Sequence, residues 1–78
     1  MPHRKRGDNM TNSLALKAKI IEVGLTLNIV AEKLNISRNS LYMKINNKRD
    51  FSASEICKLV EILHLNPNEV MYIFLNAA

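Results

Sequence analysis

The chain has 78 residues, enough for one hydrophobic core and too few for two. Its composition is 47% hydrophobic but only 5% aromatic, with two Gly and two Pro, which argues against a many-turned β fold and for an aliphatic helical bundle. A formal charge of +4, from 11 Lys+Arg against 7 Asp+Glu, leaves nucleic acid or an anionic membrane surface as the charged partner classes.

Residues 1–12 are polar and begin with the basic cluster His3-Arg4-Lys5-Arg6. They read as a flexible basic arm, or an addition to the natural chain, rather than as a minor-groove reader. Met10 is a second candidate start; without residues 1–9 the chain keeps a net charge of +2. No apolar run approaches the ~18–20 residues that span a bilayer, and no signal-peptide core follows the basic start. The expectation is a soluble intracellular protein with no membrane partner.

A first helix is expected from Ser13 to Val23, with Leu16, Ile20 and Val23 on one face and Ile21 beside them. Gly24 ends it by taking positive φ. Thr26 caps a second helix whose inner face carries Ile29, Val30 and the Lys33 stem, with Ala31 as a small packing residue. Asn35 is the next candidate left-handed residue. Ser37 caps a third helix running to about Asn46, and Asn46-Asn47-Lys48 makes the exit turn.

Ser52-Ala53-Ser54-Glu55 is a capping box opening a fourth helix, with Ile56, Leu59, Val60 and Leu63 inward. Cys57 on this helix excludes an internal disulfide and is expected to be a small buried hydrophobe. Asn66-Pro67-Asn68-Glu69 opens a fifth helix with a capping Asn, Pro in first position and an acid in the first turn. Val70, Met71, Ile73, Phe74 and Leu75 follow, too many apolar residues for one stripe. Either the helix is fully packed into the core, or Met71, Phe74 and Leu75 form a dimer or partner surface.

The second and third helices are short and separated by about four residues, a spacing that sets one across the other and can project the third into a DNA major groove. From Lys33 to Arg49 the charged residues are Lys33, Arg38, Lys44, Lys48 and Arg49, with no acid among them. On the third helix Leu41 and Ile45 mark the buried side, so Arg38, Asn39, Tyr42 and Met43 face outward. Arg forks onto guanine and Asn onto adenine, while Tyr and Met offer apolar surface to a thymine methyl. Ser37, Asn46, Lys48 and Arg49 suit phosphate contacts that hold the helix in register. Tyr42 and Met43 have a plainer reading as partial core.

The segment Thr26-Leu27-Asn28-Ile29-Val30-Ala31-Glu32-Lys33-Leu34-Asn35-Ile36-Ser37, continued by Arg38-Asn39-Ser40-Leu41-Tyr42-Met43-Lys44-Ile45-Asn46-Asn47-Lys48 and Phe51, resembles the helix-turn-helix of lambda-repressor-like (XRE/Cro-type) phage regulators. The resemblance covers residues 14–75. It implies an all-α, compact five-helix DNA-binding domain over residues 13–76, with the helix-turn-helix in the second and third helices. It also implies base contacts from the positions of Arg38, Asn39 and Met43.

The chain departs from that pattern in three places. Leu27 stands where many members have a backbone-contacting Gln, and Asn35 replaces the turn Gly. Ile20 and Ile45 replace a charged pair together, which keeps the contact consistent.

The expected function is sequence-specific binding of a palindromic double-stranded operator by a homodimer, as in a Cro-type or short repressor. Two alternatives stay open: a DNA-binding antitoxin that holds a toxin, and an interaction protein that binds a repressor instead of DNA. His3 and His64 lack partner ligands, and no Ser/His/Asp group, carboxylate pair or Gly-rich phosphate loop is present. No enzyme, metal or cofactor is expected.

Overall fold

The computed structural model describes residues 11–74, which form five α-helices and no strand. These are α1 (Ser13–Glu22), α2 (Leu27–Leu34), α3 (Arg38–Ile45), α4 (Ala53–Leu63) and α5 (Pro67–Phe74). The first ten residues of the arm expected over residues 1–12, Leu75 and the expected domain end at residue 76 lie outside the described residues.

Each helix starts where a short polar side chain can meet an otherwise unpaired amide. Asn12 accepts from the Ala15 amide, Thr26 from Ile29, Ser37 from Ser40 and Ser52 from Glu55. Asn66 Oδ1 accepts from the Glu69 amide at 2.8 Å, and Glu69 Oε1 accepts from the Asn66 amide at 2.9 Å. The fifth start is thus a reciprocal box like that of Ser52 and Glu55. Helix ends use left-handed residues: Gly24 (φ 81°) follows α1, Asn35 (φ 61°) closes α2 and His64 (φ 54°) closes α4.

α1 lies against α5, while α2 lies against α3 and α4. Between them is one aliphatic core that includes Leu16, Ile20, Val30, Ala31, Leu34, Leu41, Ile45, Leu59, Leu63 and Ile73. Ile20 and Ile45 both belong to it. Ile56 and Val60 pack against its edge.

Four assignments from the sequence are corrected. Ile21 is 74% exposed, because α1 turns only Leu16 and Ile20 fully inward. On α2 the buried residues are Val30, Ala31 and Leu34; Ile29 and Lys33 face outward, since the α3 and α4 contacts lie on the Leu34 side. Cys57 is exposed, one residue off the Ile56–Leu59–Leu63 face of α4. Thr11 and Asn12 belong to the folded unit and not to the arm: Thr11 is buried, and the Asn12 amide donates to the Ile73 carbonyl at 2.7 Å. No helix among the described residues is long and apolar enough to cross a membrane.

Candidate nucleic-acid interface

Asn35 takes the left-handed turn that stops α2, and the Ile36 amide donates back to the Ala31 carbonyl at 3.0 Å. Residues 35–37 are the whole connection before α3 begins under the Ser37 cap. Leu41 and Ile45 are fully buried and anchor α3 on one side. One hundred degrees per residue then fixes which side chains point away.

Arg38 and Asn39 are exposed, and Tyr42 is 55% exposed. Together the three line one open recess on the outer face of α3. Met43, assigned with them, is half-buried; Asn39 Nδ2 lies 3.8 Å from its sulfur. It borders the group. Tyr42 is not part of the core.

The four residues assigned to phosphate fall into two kinds. Ser37 Oγ accepts from the Ser40 amide at 3.0 Å, which leaves its hydroxyl hydrogen to donate outward. Lys48 and Arg49 are exposed in the turn after α3 and enter no ion pair among the described residues. Asn46 is half-buried and already donates through Nδ2 to the Tyr42 carbonyl at 2.9 Å, so its part is first to close α3.

Lys44 behaves differently from the other cations of its stretch. Its Nζ sits 2.7 Å from both carboxylate oxygens of Glu55 on α4, and each side chain is only 14% exposed. Burial pushes the Glu55 carboxyl up, but the bonds from Lys44 and from the Ser52 amide outweigh it and hold the carboxyl below the usual range. The run from Lys33 to Arg49 is acid-free in sequence but not in space. The outward charge is left to Lys33, Arg38, Lys48 and Arg49.

The surface assigned to partners also shifts. Phe74 is buried, its ring edge-on to Phe51 at 5.7 Å between centroids, so it is a core residue and not a docking group. Met71 is exposed as expected. Leu14, Ile21 and Tyr72 are exposed too and had not been singled out for this role; Leu14 and Ile21 stand seven residues apart on α1, two helical turns. Lys19 binds Glu69 at 2.8 Å and ties α1 to α5 beneath them. That bond raises the Lys19 pKa above its ordinary value and lowers that of Glu69. Among the described residues no three His, Cys, Asp or Glu side chains group as metal ligands would.

No curated protein sequence matches the chain. A family model described as "Protein of unknown function (DUF739)" matches residues 12–77, nearly the whole of the folded unit. On that match the chain belongs to the DUF739 family.

Proposed function

We propose that this chain is a sequence-specific, non-enzymatic DNA-binding regulator of transcription, a short repressor or Cro-type protein that reads an operator with α3. The observation that carries the reading is the grouping of Arg38, Asn39 and Tyr42 on the outer face of a helix held from behind by Leu41 and Ile45. The side chains that fork onto guanine and adenine edges stand together, next to Lys48 and Arg49, which enter no ion pair among the described residues and suit phosphate. α2, the three-residue turn and α3 make the helix-turn-helix in this reading. Such a protein works on the nucleoid of a bacterial cell, without cofactor or metal.

A two-fold operator would be bound by a homodimer. The exposed Leu14, Ile21, Met71 and Tyr72 support a protein contact on the α1 and α5 side, whether with a second copy, a repressor or a toxin.

Selection of bound sequences from a random duplex pool, followed by titration of the winners at several salt concentrations, tests the reading. A two-fold-symmetric site with a steep salt slope is expected. No enriched sequence would overturn it in favour of a protein-binding role.

A further inference from the structure

Helices α1 to α4 end in the same backbone device. A left-handed residue follows each, at Gly24, Asn35, Asn47 and His64, and the amide of the next residue donates back into the last helical turn. These bonds run from Leu25 to Ile20, from Ile36 to Ala31, from Lys48 to Met43 and from Leu65 to Val60. At three of the four ends that next residue is apolar and packs on the core, as Leu25, Ile36 and Leu65. Such a plug commonly accompanies the motif and fixes how the chain leaves the helix. After α3 the position is taken by Lys48, which is exposed and supplies no plug.

A polar tie stands in its place. Asn47, at φ 63°, is half-buried, whereas the left-handed residues of the other three ends are exposed. The Thr11 amide donates to Asn47 Oδ1 at 2.8 Å, and Asn47 Nδ2 donates to the Thr11 carbonyl at 3.0 Å. Thr11 is itself buried, and Ser13 Oγ donates to the Ile45 carbonyl alongside. One side chain therefore fastens the turn to the start of the folded unit. An apolar plug at position 48 would fasten it too, but only by giving up the exposed cation.

We propose that Asn47 is a positioning residue for DNA binding: by tying the turn to Thr11 it holds Lys48 outward at the end of α3, where Lys48 meets a duplex phosphate. The proposal rests on the DNA-binding reading above. A cation whose backbone is already held loses less freedom on contact, so loosening the turn weakens that contact. Arg38, at the other end of α3, is not held by this turn and keeps its base contact.

The test is titration of duplex binding by the full chain at several salt concentrations, on the selected sequence and on random DNA, with urea midpoints measured alongside. Asn47→Gly keeps the left-handed backbone and deletes both bonds to Thr11. Although it changes no charge, it should weaken binding to both duplexes about threefold to tenfold and lower the salt slope by about one unit. In that background Lys48→Ala should cost little further, while Arg38→Ala should cost as much as in the parent. His64→Gly makes the same backbone exchange at the end of α4 and should leave affinity and slope at parental values. Thr11→Pro removes the amide that donates to Asn47 and no residue of the turn. It should repeat the Asn47→Gly result in smaller measure, and it carries the test if Asn47→Gly is unfolded in the assay.

Parental affinity and slope in the folded variant, or the full cost of Lys48→Ala in the Asn47→Gly background, overturn the proposal. So does an equal drop in His64→Gly, which would make the effect one of any loosened helix end. A reduced cost of Arg38→Ala overturns it as well, because Asn47 would then act on α3 as a whole. Failure of the parent chain to bind any duplex overturns the functional reading itself, which the other outcomes do not.

Discussion

Lys44 and Glu55 form a forked ion pair between α3 and the first turn of α4, with Nζ 2.7 Å from each carboxylate oxygen. Glu55 also accepts from the Ser52 amide at 2.9 Å, so one carboxylate closes a capping box and docks a neighbouring helix. Glu55→Gln keeps an oxygen for Ser52 and loses the charge. It should destabilise the fold by about 2 kcal/mol in urea titration, the scale of a hydrogen bond to a charged group. Lys44→Gln should leave the salt slope of DNA binding unchanged, because Lys44 is spent inside the protein. A slope lowered by about one unit would place Lys44 on phosphate instead.

Stability should fall on acidification in the range set by two carboxyls. Glu55 and Glu69 titrate below their ordinary values, so each stabilises the fold fully above the unfolded carboxyl value of about 4.3. Each loses that contribution as pH drops through its lower folded value. Lys19 is shifted the other way: its contribution is complete below the ordinary lysine value of about 10.4 and disappears as pH rises past its raised one. Urea midpoints from pH 7 down to pH 3 should show the acid loss, and Glu55→Gln with Glu69→Gln should flatten it.

Arg38→Ala and Lys48→Ala should separate reading from holding. Arg38→Ala is expected to cost about 1–3 kcal/mol at the selected site and to relax one base position. Lys48→Ala should weaken all sequences alike and reduce the salt slope by about one unit. Equal loss on selected and random DNA for Arg38→Ala would reduce Arg38 to a phosphate contact.

His64 closes α4 at φ 54° with an exposed side chain. A residue with a Cβ is strained there, whereas Gly is not. His64→Gly should therefore raise stability by about 0.5–1 kcal/mol after the added freedom of the unfolded chain is counted. A lower midpoint in urea would show that the imidazole contributes more than the backbone strain costs.

Caps and turns were legible because their chemistry is local. Thr26, Ser37, Ser52 and Asn66 each meet an amide three residues on, and Gly24 and Asn35 satisfy a backbone demand at their own position. The outward set Arg38, Asn39 and Tyr42 followed from Leu41 and Ile45 by helical geometry alone. What failed depended on the neighbours. Ile21, Ile29 and Phe74 are equally apolar, and only the packing of α5 on α1, of α3 and α4 on α2, and of Phe51 on Phe74 decides which is covered. The Lys44–Glu55 pair spans 11 positions and the Thr11–Asn47 pair 36, distances over which no periodic pattern reports.

The Thr11–Asn47 pair closes a 36-residue loop around α1, α2 and α3 with hydrogen bonds alone. Joining such distant positions carries a loop-closure entropy cost, while the contacts of α2 with α3 are local and form early. By that measure the clasp forms after the α2–α3 contacts and opens before them. The backbone amides of Thr11 and Asn12, which donate to Asn47 and to Ile73, should exchange with solvent deuterons well before those of Leu41 and Ile45. α3 would then keep its shape while the Thr11 end of the folded unit comes and goes.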